Sequence, residues 1–182
     1  MNAKRNTILI GLAFIVLLAL AYVENMFFFS IVDDILNNQF LSLAMFFIHN
    51  ILAISLILLG MTFYVNLVVS DFFKKEKYAY IVLEHPRTFA IVFTVMILFL
   101  SILREGSLFG GVSVEALPLI LLVSAPMAIV EGYGIYLTIK KTLSRTMSMK
   151  DLAYIYSIFF IAAIIEVVFI NLLISLSIGQ VS

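Results

Sequence analysis

Residues 152–178 read LAYIYSIFFIAAIIEVVFINLLISLSI, and the only charged side chain among them is Glu166. A helix needs about 20 mostly apolar residues to cross a hydrocarbon core of roughly 30 Å. This run supplies more than that. It is continuous rather than alternating, whereas barrel strands show segments of about ten residues with period two. Working outward from it, four more such runs appear at 7–23, 40–69, 88–103 and 116–139. The expected fold is therefore all-α: a polytopic bundle of five transmembrane helices, with short interfacial helices, in a single integral membrane domain over 1–182. The runs at 40–69 and 152–178 exceed the core thickness and are expected to tilt or project beyond it.

Composition points the same way. The 182 residues are 64% hydrophobic and 12% charged, with a mean hydropathy of +1.18. A soluble domain has about 45–50% apolar and about 25% charged residues. The numbers exclude a water-soluble domain, and they equally exclude a disordered chain, which needs low hydropathy and high net charge. Eleven basic residues balance eleven acidic ones, so nothing points to nucleic acid. The absence of cysteine removes disulfides, thiol catalysis and thiolate metal sites. No motif asks for a cofactor. The expected partners are the lipid bilayer and other membrane proteins or a second copy of the chain.

Orientation follows from the basic residues. Lys4 and Arg5 precede the first run, and Lys74, Lys75, Lys77 and Arg87 lie between the second and third. Lys140, Lys141, Arg145 and Lys150 lie between the fourth and fifth. The alternate connections hold only Arg104, together with Glu24, Asp33, Asp34, Glu105 and Glu115. Positive residues mark the cytoplasmic side, so the expected topology has the N-terminus inside and the C-terminus outside. The first run also carries Ala19-Leu20-Ala21 after Lys4 and Arg5, the pattern of a signal peptide, but its apolar stretch exceeds the usual 7–15 residues and it is read as a retained helix.

The connections are short. In 24–39, Phe28, Ile31 and Ile35 recur at helical spacing opposite Asn25 and Asp33, which predicts a separate short helix at the outer interface. In 71–87, Phe72, Phe73, Tyr78 and Tyr80 mix with lysines. This suits a headgroup-level anchor, or a docking surface for a cytoplasmic partner. His85-Pro86-Arg87 is expected to break the chain before the third span, and Gly106, Gly110 and Gly111 to form an outer turn.

Ionisable groups at membrane depth are costly, about 2.5–3.5 kcal/mol for a central charge on insertion scales, and they point to function. Glu131 in the fourth run and Glu166 in the fifth are two such groups. No basic residue lies deep in any run, so their candidate partners are each other, His49, Asn50, tyrosine hydroxyls such as Tyr133, and water. Pro126 frees the carbonyl four residues before it. Ser124, Ala128 and Gly132 form a small-residue stripe that lets another helix approach closely. The simplest packing sets the fourth and fifth spans side by side, with Glu131 and Glu166 at one shared interior and His49 or Asn50 entering it. Three readings stay open: hydrogen-bonding glue between helices, a path for protons, ions or polar solutes, and a metal or hydrolytic centre. The last lacks any His-Glu-x-x-His or nucleophile motif.

At these residues the chain resembles the stage II sporulation protein M family of multi-span membrane proteins. Phe46-Phe47-Ile48-His49-Asn50-Ile51-Leu52-Ala53 followed by Gly60 is similar to the family's Asn-containing apolar segment that leads to a glycine. Pro126-Met127-Ala128-Ile129-Val130-Glu131 keeps the Pro and Glu of the family's Pro-His-Gly-x-x-Glu element, with Met127-Ala128 in place of His-Gly, so no role of that His is carried over. Ala163-Ile164-Ile165-Glu166-Val167-Val168-Phe169 is similar to the family's apolar-Ile-Glu-Ala-Phe run. The resemblance covers roughly 40–175. It implies a non-enzymatic membrane scaffold that anchors partners; the polar residues themselves keep a small ion- or proton-coupled or solute transporter as the alternative and an intramembrane hydrolase as a weaker one.

Overall fold

The computed structural model describes residues 3–36, 38–70, 77–108 and 117–178, with side chains described over 4–28, 38–70, 80–101, 125–169 and at 171. The described residues form six helices: α1 (Ala3–Leu36), α2 (Gln39–Val69), α3 (Lys77–Glu84), α4 (Pro86–Leu108), α5 (Leu117–Leu143) and α6 (Met149–Ile178). Of the predicted outer turn, Gly106 is corrected, since α4 runs through it to Leu108, and Gly110 and Gly111 lie outside the described residues.

Local chemistry sets the helix ends. The Asn38 side-chain oxygen accepts from the backbone N–H groups of Phe40 and Leu41 at 3.1 and 3.2 Å, an N-cap that starts α2. Pro86 opens α4 at the first helical position, where its missing N–H costs nothing, and His85 alone separates α3 from α4. The end of α5 is a Schellman turn: the N–H of Thr146 reaches Lys141 O, that of Arg145 reaches Thr142 O, both at 3.0 Å, and Arg145 adopts φ 56°. α6 then starts with a capping box. The Ser148 N–H donates to Asp151 at 3.0 Å and the Asp151 N–H donates to Ser148 Oγ at 3.2 Å. Lys141 closes the same corner on Asp151 at 3.1 Å.

One expectation is corrected. The segment 24–39 does not form a separate interfacial helix, because α1 runs unbroken from Ala3 to Leu36. Its polar residues end the hydropathic run, yet it holds no glycine or proline to end the backbone hydrogen-bonding pattern. The short helix of the lysine-rich connection does exist, as α3.

α2, α5 and α6 pack against one another as a three-helix centre, α1 lies on α2, and α4 lies on α5. α1 and α2 are antiparallel and interlock through glycines. A Cβ at Gly11 would stand 2.7 Å from the Phe63 ring, and one at Gly60 would stand 3.0 Å from the Phe14 ring. Each helix thus seats the other's phenylalanine. Further along, Phe28 packs edge-on against Phe46 at 5.4 Å between centroids. The main core joins Ile54 and Val65 of α2, Ala90 of α4, Ile135, Ile139 and Leu143 of α5, and Ile155 and Phe159 of α6.

The outer faces are apolar as well. Ile15 is 60% exposed, Val95 61%, Ile129 72% and Val168 61%, positions where a soluble bundle would place polar residues. Among the described residues three helices are long and apolar enough to cross a membrane, over Lys4–Phe28, Gln39–Val69 and Met149–Phe169, and Pro86–Ser101 is a shorter apolar helix. The protein is therefore all-helical over its described residues, with the lengths and surface of a multi-pass membrane protein.

Candidate functional site

Successive residues of a helix are about 100° apart, so buried neighbours reveal which way each carboxylate faces. On α5, Glu131 lies three residues before buried Gly134 and seven before Thr138, which is fully buried. On α6, Glu166 follows Ala162 and Ala163, both fully buried, by four and three residues, and Phe159, 3% exposed, by seven. Both glutamates therefore stand on the interior faces of their helices, and both are half-buried.

Gly134 sets the register between α5 and α6. A Cβ there would lie 2.6 Å from the Phe159 ring and 3.3 Å from Ile158. The helices run antiparallel, so Glu131 is level with Ala162, and Glu166 sits one turn beyond, roughly 6 Å along the axis.

Asn50 joins this level from α2. It lies between Phe46, which packs with Ala163, and Ile54, which packs with Ile135 and Phe159. It is 7% exposed, and its Nδ2 has no hydrogen-bond partner among the described residues. A buried donor left unpaired costs about 1–3 kcal/mol, so this amide marks a polar spot inside an otherwise apolar centre. Glu131, Glu166 and Asn50 thus lie on the inward faces of α5, α6 and α2.

His49 is held elsewhere. Its Nδ1 lies 3.1 Å from Glu24 Oε2 and 3.3 Å from Oε1, and its ring stacks on Phe28 at 5.2 Å. The side chains of His49 and Glu24 are only 20% and 14% exposed. This pair ties α1 to α2. From sequence, Glu24 belonged to an outer connection. The unbroken α1 brings it level with His49, in the same antiparallel register as Gly11 with Phe63 and Phe14 with Gly60.

The small-residue stripe serves a different neighbour from the one expected. A Cβ on Gly132 would stand 2.7 Å from Leu98 of α4, so this glycine admits α4, and half-buried Ala128 lies on the same side of α5. Gly134 is the glycine that admits α6. Ser124 belongs to α5, but its side chain lies outside the described ones. Pro126 is inside α5, and its ring is exposed. Tyr133, two residues from Glu131, is 48% exposed on the opposite side of the helix.

Asn6 Oδ1 and Thr94 Oγ1 are likewise buried without a partner among the described residues, while several other polar groups are satisfied near home. The Asn66 and Asn171 amides donate to the carbonyls four residues back, Thr62 O and Val167 O, both at 2.8 Å. Thr138 and Thr142 do the same to Gly134 O and Thr138 O at 2.8 and 2.7 Å. Ser55 and Tyr156 join α2 to α6 at 2.8 Å, a link that spacing alone did not reveal. Among the described residues no three His, Asp or Glu side chains gather as a metal-ligand set. No family model matches the chain, and neither a curated protein nor a solved structure matches it.

Proposed function

We propose that the chain is an integral membrane protein of five spans, formed by α1, α2, α4, α5 and α6, with its N-terminus in the cytoplasm and its C-terminus outside. Its work is non-enzymatic: it anchors or organises other proteins in the membrane. The polar interior at Glu131, Glu166 and Asn50 holds the central helices in register. The observation that carries this reading is the apolar layer on the lysine-rich side of that interior. There Ile54, Ile139, Leu143, Ile155 and Phe159 are each 3% exposed or less. A path for protons or ions needs water or polar groups along its length; the polar groups at this depth, Ser55, Tyr156 and Thr138, are engaged with one another or with a backbone carbonyl, which supports a static role instead. The resemblance to the stage II sporulation protein M family, carried by Pro126, Glu131 and Glu166, supports the same reading.

The topology is tested by labelling. The chain has no cysteine, so single cysteines at Ser113 and Ser144 can be probed with a membrane-impermeant reagent. The two sites should label from opposite sides, and labelling from one side would sink the five-span arrangement.

The role of the acids is tested by Glu131→Gln with Glu166→Gln. A neutral acid and an amide both donate and accept hydrogen bonds, so as structural groups they should tolerate the change to within about 1 kcal/mol. Proteoliposomes loaded with a pH-sensitive dye should show the same low proton leak for the wild type and the double variant. A flux in the wild type that the substitutions abolish would replace the scaffold with a transporter.

A further inference from the structure

Where α2 and α5 end, a cleft of about 340 Å³ opens between them and the α5–α6 turn. Leu58, Val65 and Val69 of α2, with Met147, make its apolar walls, and Thr62, Asn66, Thr142 and Arg145 supply polar groups. The cation is the informative member. Arg145 is exposed, and its guanidinium has no acidic or ring partner among the described residues. Two nearby lysines are engaged: Lys141 with Asp151 at 3.1 Å, and Lys140 over the Tyr136 ring at 5.5 Å.

The turn itself does not call for an arginine. Its φ of 56° is the left-handed conformation that glycine adopts freely, and that costs another residue about 1–2 kcal/mol. The Schellman hydrogen bonds hold this backbone in place, so the base of the side chain is fixed beside the cleft.

Two helix C-termini converge here, and their partial negative charge opposes an anion. Much of it is capped. The Ser70 N–H takes Asn66 O at 2.9 Å, the Tyr80 hydroxyl donates to Val68 O at 3.3 Å, and the Schellman turn takes the carbonyls of Lys141 and Thr142. A full guanidinium charge outweighs what is left.

We propose that this cleft binds the phosphate of an anionic phospholipid, with Arg145 as its ligand and the α2 wall beside its acyl chain. The volume takes a phosphate and glycerol backbone rather than a whole lipid. Leu58, Val65 and Val69 extend the wall roughly 16 Å along α2, with the Thr62 hydroxyl and the Asn66 amide between them turned back to the helix's own carbonyls, a length that suits a chain and has no use for a soluble phosphate. Basic pockets between membrane helices at the cytoplasmic surface hold anionic headgroups in this way. The proposal rests on the reading of α2 as a membrane span, and not on the scaffold role.

The test uses the full chain in detergent, titrated by native mass spectrometry with phosphatidylglycerol, phosphatidylcholine and glycerol 3-phosphate. One saturable phosphatidylglycerol should bind more tightly than either of the others. Arg145→Gly should weaken it about five-fold, the effect of one basic group worth about 1 kcal/mol. Glycine suits the turn, so this variant should melt no lower than the wild type. If it does melt lower, Arg145→Gln, which removes the charge and keeps a long polar side chain, decides in its place. Lys150→Gln, exposed on the first turn of α6 and outside the cleft, should leave binding unchanged. Wild-type binding in the Arg145 variants would overturn the site, and so would equal weakening by Lys150→Gln, the mark of diffuse charge attraction. Glycerol 3-phosphate binding as tightly as phosphatidylglycerol would make it a soluble-anion site and overturn the lipid. Release of the protein from membranes by alkaline carbonate would instead sink the membrane reading itself.

Discussion

Gly134→Leu is expected to destabilise the protein by about 3 kcal/mol or more, read as a lowered midpoint of unfolding in mixed micelles. The bare Cβ would already stand 2.6 Å from the Phe159 ring. That ring is 3% exposed and packed among Ile54, Ile135 and Ile155, so it has little room to retreat. The extra branches of leucine would push α5 and α6 apart about one turn from Glu131. Replacing glycine inside a helix returns about 1 kcal/mol of backbone propensity, which the overlap exceeds. Phe159→Ala alone should cost about 3–5 kcal/mol through the cavity it leaves. The combined variant should lose less than the two single losses added together, because the leucine fills that cavity. Strict additivity would show that Gly134 and Phe159 do not set the approach of the two helices. Gly132→Leu, which meets Leu98 on α4, should disturb the α4–α5 contact instead.

The second large effect concerns the tie between α1 and α2. His49→Leu should cost about 3 kcal/mol, since it leaves the Glu24 carboxylate, 14% exposed, without the imidazole that faces it. Glu24→Leu should cost less, because imidazole tolerates burial in its neutral form better than a carboxylate tolerates burial as an ion. Replacing both by leucine should recover most of the loss, as two apolar side chains need no partner in an apolar setting. The same denaturation assay gives the coupling energy from the four proteins. Single variants within about 0.5 kcal/mol of the wild type would show that the 3.1 Å contact adds nothing to the hairpin.

Hydropathy and a few capping residues were enough to place most of the helices. Composition and the length of each apolar run respond to the bilayer alone, so 40–69, 88–103 and 152–178 anticipate α2, α4 and α6 within a few residues at their first ends. Pro86 marks the α3–α4 break because its ring restricts the residue before it. Helix ends without such punctuation were less legible. α1 passes through 24–36 because hydropathy reports where lipid ends, not where the backbone stops hydrogen-bonding to itself.

Glu131 and Glu166 announced an interior by their cost in hydrocarbon, and that cost depends on nothing but depth. Which way each helix turns its polar residues was decided by packing. These helices are apolar almost all round, so the sequence carries little trace of which face turns inward. Gly132 and Gly134 are two residues apart and look alike in sequence, yet one admits Leu98 of α4 and the other Phe159 of α6. The antiparallel register of α1 on α2, set by Gly11 under Phe63 and Gly60 against Phe14, brings Glu24 to His49 across a separation of 25 residues. Local sequence determined that these segments are helices suited to lipid. Only the close approach of particular pairs, at the few places where a side chain is missing, decided which helices meet and which polar groups they enclose.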